Sequence, residues 1–111
     1  MPTATETETQ AAILEYLTLK KYLCWRMNNI PASYIDRHGE RQFRKLPKFT
    51  MKGLPDIALI HPMTGRFYGI ECKSASGKLS PEQAEFGRLC VRAGAEFIVA
   101  RSLEDVISAG L

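Results

Sequence analysis

The stretch Gly53-Leu54-Pro55-Asp56-Ile57-Ala58-Leu59-Ile60, answered by Phe67-Tyr68-Gly69-Ile70-Glu71-Cys72-Lys73, leaves the chain few ways to fold. Two short apolar runs flank the breaker cluster His61-Pro62-Met63-Thr64-Gly65-Arg66, the pattern of an antiparallel hairpin with a longish loop. Strand side chains alternate, so Phe67, Gly69, Glu71 and Lys73 share one face and Tyr68, Ile70 and Cys72 the other. Pairing Ile60 with Phe67 sets Asp56 opposite Glu71, where Cβ atoms lie about 4.5–5.5 Å apart and like charges repel. Two carboxylates at the end of an apolar hairpin call for a compensating cation. Oxygen ligands suit a hard ion such as Mg²⁺, which takes one or two carboxylates and keeps several waters. The Cys72 carbonyl is a candidate further ligand. Lys73, on the Glu71 face, is placed to orient an attacking water or to hold negative charge on a phosphate. The plain alternative is a surface hairpin with solvated charges, and Asp56 at the mirrored position argues against it.

At 111 residues, 45% hydrophobic and 24% charged, the chain suits one soluble globular domain, spanning 1–111, with a single core. No apolar run approaches the length of a membrane span, and Met1-Pro2-Thr3-Ala4 lacks a signal-peptide pattern, so a cytoplasmic protein is expected. Cys24, Cys72 and Cys90 are widely spaced without a C-x-x-C pair, which argues against a disulfide framework. With His38 and His61 as the only histidines, a zinc site is disfavoured as well.

The net charge of +3 says little, but its distribution says more. From Arg37 to Lys52, the bases Arg37, Arg41, Arg44, Lys45, Lys48 and Lys52 accompany one acid, Glu40. Such a patch meets a phosphate backbone or forms a solvated loop. It runs directly into Gly53-Leu54-Pro55-Asp56, which favours the first reading. Tyr34, Phe43 and Phe49 interleave with the bases, as contacts to DNA sugars and phosphates or as anchors for a loop.

Residues from about Thr5 to Leu23 read as an amphipathic helix, with Gln10, Ile13, Leu14, Leu17 and Lys21 on one stripe and Glu6 one turn earlier. Thr5 and Glu8 have capping-box spacing, which accounts for Glu8 and leaves Glu6 as an inward carboxylate or a helix-terminus charge. Leu23 to Met27 suits a strand ended by Asn28-Asn29, with Trp25 and Arg26 on opposite faces, Trp25 expected in the core rather than as a base-stacking platform, and Arg26 either toward a cleft or on the surface. Tyr34-Ile35 and Gln42-Phe43-Arg44 suit short edge strands around His38-Gly39. Gly53 is expected to supply a backbone shape closed to other residues. Ser80-Pro81-Glu82-Gln83 marks a helix start, with the Gln83 amide free to bond back to the Ser80 N–H. Phe86, Leu89, Cys90 and Ala93 form that helix's apolar stripe and Gly94 its end. Glu96–Ala100 reads as a strand, and Ser102 as the cap of a last helix burying Leu103, Val106 and Ile107.

Pro55-Asp56 with Glu71-Cys72-Lys73 resembles the motif of the PD-(D/E)XK nuclease superfamily. Lys52 to Asp56, Gly69 to Lys73 and Gly77-Lys78-Leu79-Ser80-Pro81-Glu82-Gln83 together are similar to its VRR-NUC branch, over nearly the whole chain. The resemblance implies an α/β, restriction-endonuclease-like αβββαβ core with a mixed central sheet flanked by helices, in a stand-alone member of phage or bacterial type. It implies a Mg²⁺- or Mn²⁺-dependent DNA endonuclease that leaves a 5′-phosphate and a 3′-hydroxyl, with branched DNA such as Holliday junctions as substrate class. Asp56 and Glu71 would then bind metal with the Cys72 carbonyl and with Glu6, since a first-helix Glu often joins the cluster in related nucleases. Lys73 would act on water, and Gln83 would stand close to the active site. Arg26, Arg41, Arg44, Lys45, Lys48 and Lys52 are the expected DNA contacts. A junction needs paired cuts and one chain carries one such constellation, so a C₂ homodimer is expected, with Ile30, Tyr34 and Ile35 at its interface. The alternatives are a DNA-binding module that keeps the fold without cutting, and an accessory subunit whose basic stretch meets an acidic protein.

Overall fold

The computed structural model describes residues 4–27 and 33–111. Helix α1 (Glu6–Leu19) is followed by β1 (Leu23–Arg26), the short strands β2 (Ser33–Ile35) and β3 (Arg41–Phe43), β4 (Ile57–Ile60) and β5 (Phe67–Cys72). Helix α2 (Pro81–Arg92), strand β6 (Glu96–Ala100) and helix α3 (Leu103–Ser108) complete the order. Four strands form the main sheet in the order β1-β4-β5-β6, antiparallel except for the parallel β5–β6 pair. The parallel pair requires a crossover, which α2 supplies. Taken without β2, β3 and α3, the succession is the αβββαβ core expected from the sequence.

The two sheet faces bury different helices. Ile57, Leu59, Ile70, Cys72 and Ala100 point to one side, where they meet Ile13 and Leu17 of α1 and Val106 of α3. On the other side α2 lies against β6, with the Phe86 and Phe97 rings 6.4 Å apart edge to face. Gly87 makes that approach close, since a Cβ there would stand 2.6 Å from Phe97 Cδ1. Burying each large apolar side chain of this core contributes about 1.5–3 kcal/mol, so the α1 face dominates the stability.

Several boundaries differ from the sequence reading, for local reasons. Helix α1 stops at Leu19 because Lys21 takes a left-handed conformation, φ 64°, and the Tyr22 N–H closes onto the Leu17 carbonyl at 3.1 Å. That is the helix-ending turn usually given to glycine. Its buried positions are Thr9, Ile13 and Leu17, so the inward stripe starts one residue earlier than Gln10. Thr5 Oγ1 accepts from the Glu8 N–H at 3.1 Å, the Thr5 half of the expected box. Among the described residues strands β2 and β3 pair only with each other, as a ribbon separate from the main sheet rather than as its edge strands. Asp36 builds their turn, accepting from the His38 and Glu40 N–H groups and from Gln42 Nε2. At α3, Ser102 occupies the cap position without a side-chain bond, and Asp105 Oδ2 accepts from the Arg101 N–H at 2.8 Å instead. Val106 is fully buried there, but Ile107 is 47% exposed and does not face inward. Asn28, Asn29 and Ile30, expected at the end of β1 and at an interface, lie outside the described residues.

Candidate active site

The hairpin forms in the expected register, with Ile60 opposite Phe67 and Ile57 opposite Ile70. One step further, at its open end, that register sets Asp56 against Glu71. Asp56 is held from both sides: its carbonyl accepts from the Met27 N–H and its Oδ2 from the Cys72 N–H, each at 2.8 Å. Glu71 is only 2% exposed. Its Oε1 accepts from Gln83 Nε2 at 3.0 Å, while its Oε2 is buried with no hydrogen-bond partner among the described residues.

Gln83 is oriented by the start of α2. The Ser80 N–H donates to Gln83 Oε1 at 2.8 Å, and the Gln83 N–H donates to Ser80 Oγ at 3.1 Å. With its oxygen committed to the cap, the amide NH₂ is left to face Glu71. One side chain thus serves as helix cap and as donor to the carboxyl group. Gly53 fixes the distance between this helix start and the hairpin: its φ is +76°, and a Cβ would collide with the Glu82 backbone. The close neighbour that requires a glycine is therefore the α2 backbone.

Burial pushes the Glu71 carboxyl up to about 8, helped by the Asp56 charge and by the hydrogen bond that only a protonated Glu71 could donate to Asp56, while Lys73 pulls it down and Glu6 raises it slightly. Two ionised carboxylates offer each other acceptors and no donor. Either a proton on Glu71 or a cation between the pair resolves the conflict, and the orphaned Oε2 marks where it acts. Burial likewise pushes the Cys72 thiol up to about 12. That thiol lies in the α1 core, so the backbone carbonyl is the group of Cys72 that fits a ligand role.

The remaining expected residues fall at different distances from this pair. Lys73 is half-buried, its charge is felt at Glu71, and its N–H donates to the Ala100 carbonyl at 3.0 Å. Glu6 stands beside the loop after β5, its Oε1 3.4 Å from the Ser74 N–H, rather than between Asp56 and Glu71. Among the described residues no three His, Cys, Asp or Glu side chains converge as a metal cage. Two carboxylates with an unsatisfied oxygen do fit Mg²⁺ or Mn²⁺, which keep waters in their shells. Arg41, Arg44, Lys45, Lys48 and Lys52 are exposed. Arg44 stacks on the Tyr34 ring at 4.8 Å, Arg41 Nη1 donates to Ser33 Oγ, and Lys52 lies against the start of α2.

Three residues depart from the sequence reading. Arg26 pairs with Ile57, so the register puts it on the α1 side of the sheet. Trp25 pairs with Ala58 on the carboxylate side, and at 40% exposure it is not a core residue. Arg101 had no sequence signal; its Nη1 donates to the carbonyls of Ser74, Ala75 and Gly77 and so pins the loop that follows Lys73.

A mixed sheet between helices, with acid, acid and lysine gathered at one end of its central hairpin, defines a restriction-endonuclease-like domain. The VRR-NUC domain profile matches residues 4–104, and the chain belongs to that family of nuclease-type, DNA-acting domains. A solved structure titled "VRR_NUC domain" shares the fold, with a TM-score of 0.62 and 22% identity over 95% of this chain and 94% of that one. The comparison with curated proteins finds no match. No helix among the described residues is long and apolar enough to cross a membrane.

Proposed function

We propose that this domain is a metal-dependent DNA endonuclease whose centre is Asp56, Glu71 and Lys73. The observation that carries the reading is the buried, unpartnered Glu71 Oε2 set against Asp56. A stability-driven site would have replaced one acid, because like charges facing across strands destabilise the pair. Asp56, Glu71 and the Cys72 carbonyl would hold Mg²⁺ or Mn²⁺, with Glu6 reachable from the loop side. When bound, such an ion stabilises charge on a phosphate and lowers the pKa of water. Lys73 orients the attacking water and offsets negative charge on the phosphoryl oxygens. Gln83 fixes the Glu71 rotamer, so the carboxylate is preorganised before substrate arrives.

Branched DNA is the proposed substrate and a homodimer the proposed assembly, since two sites related by a two-fold axis would make the paired cuts a four-way junction requires. Tyr34 and Ile35, exposed on the β2–β3 ribbon, are the proposed contact. Arg41, Arg44, Lys45, Lys48 and Lys52 would meet phosphates. The test is a panel of labelled duplex, flap, splayed-arm and four-way DNA, incubated with Mg²⁺, Mn²⁺ or EDTA. Ion-dependent cutting, strongest on branched forms, is expected. Binding without cutting in either ion would assign the chain to the non-cleaving modules instead.

A further inference from the structure

We propose that Trp25 is a base-stacking residue of this site, its indole packing on the nucleobase beside the phosphate that would lie against the metal ion at Asp56 and Glu71. The inference rests on the nuclease reading above and adds the group that would select the shape of the DNA. Trp25, Ala58, Gly69 and Phe97 form one row across the sheet, each the register partner of the next. Asp56, Glu71 and Val99 form the adjacent row on the same face. Trp25 is therefore a diagonal neighbour of Asp56, a separation of about 7–8 Å that long aromatic side chains span.

Coverage of this face is lopsided. Helix α2 seals its β6 end through Phe86 and Gly87 against Phe97. Pro55 lies over Gly69, where a Cβ would stand 2.9 Å from its Cγ. Toward β1 the cover thins: Ala58 is still fully buried, but its neighbours Trp25 and Leu23 are exposed. Among the described residues the Trp25 ring has no aromatic or cationic partner, and its Nε1–H has no acceptor. A large ring that leaves 40% of its residue exposed, next to an acidic pair that would hold a cation, is suited to an occupant with both a flat apolar face and a phosphate, which is what a nucleotide offers. Stacking tolerates any sequence but requires a base whose face is free. The site would therefore favour DNA in which a base has left the helical stack.

The chain contains one tryptophan, so its emission reports on Trp25 alone. The experiment titrates the full chain, in EDTA, with a single-stranded oligonucleotide, a blunt duplex and a four-way junction, following emission and gel mobility together. Quenching by single-stranded and junction DNA several-fold beyond that by duplex is expected. Trp25→Leu should weaken branched-DNA binding roughly five- to a hundred-and-fifty-fold, the range set by about 1–3 kcal/mol per stacked base, and Trp25→Phe should recover part of that loss. Junction binding with unchanged emission would overturn the inference. So would a Trp25→Leu chain that binds like the parent, or emission that follows protein concentration and ignores DNA. Quenching by DNA that no divalent ion converts into cleavage would uphold the stacking residue and sink the nuclease reading instead.

Discussion

Replacing Glu71 with Gln isolates the strain between the two acids. Glu71 is neutral in the metal-free fold until about pH 8, whereas in the unfolded chain it ionises near 4.5. Between those values the folded state holds more protons than the unfolded one, so its stability falls as pH rises. The contribution is complete below about 4.5 and lost once pH passes 8. Each unit of displacement corresponds to about 1.4 kcal/mol, an upper limit near 5 kcal/mol here; water entry and relaxation of Asp56 reduce it to roughly 2–3 kcal/mol. Gln does not titrate, accepts from Gln83 through its oxygen, and can donate its NH₂ to Asp56. In EDTA the variant should therefore melt close to the parent at about pH 5 and roughly 8–12 °C above it at about pH 9. Circular dichroism melts at about pH 5, 7 and 9 measure this. A gap between variant and parent that stays the same at all three pH values would refute the reasoning.

Three further outcomes follow from the same geometry. Gly53→Ala should cost at least about 2 kcal/mol, from a positive φ and a collision with the α2 backbone, read as a lower denaturant midpoint. Gln83→Ala removes the side-chain half of the capping box, one hydrogen bond worth about 0.5–1.5 kcal/mol, and also frees Glu71; cleavage should fall further than stability alone accounts for, measured as turnover well below the melting temperature. Neutralising Arg41, Arg44 and Lys45 together should weaken duplex binding and lower the log–log salt slope by about 0.9 for each phosphate that is no longer neutralised. An unchanged slope would remove the basic run from the footprint.

The hairpin is legible in the sequence because alternation, turn residues and a two-residue repeat all act locally, and they set Asp56 against Glu71 without any tertiary contact. Ser80 and Gln83 were legible for the same reason: a helix cap is a short-range bond. Trp25 was misplaced because its burial depends on how far α2 reaches over the sheet, which composition does not encode. The end of α1 was missed because Lys21 occupies a left-handed turn that favours glycine. Arg101 was invisible because its carbonyl partners lie on a loop distant in sequence. The separateness of the β2–β3 ribbon likewise depends on pairing choices that short strands leave open.

In the proposed nuclease the acidic pair does the cutting while affinity for DNA resides elsewhere. Parent and Asp56→Asn chains, incubated with a labelled four-way junction in Mg²⁺ and in EDTA, test this division when binding and product are read from the same samples. The expected result is equal junction affinity for both chains, with cleavage by the parent in Mg²⁺ alone. Cleavage by Asp56→Asn at the parental rate, or by the parent in EDTA, would contradict the assignment.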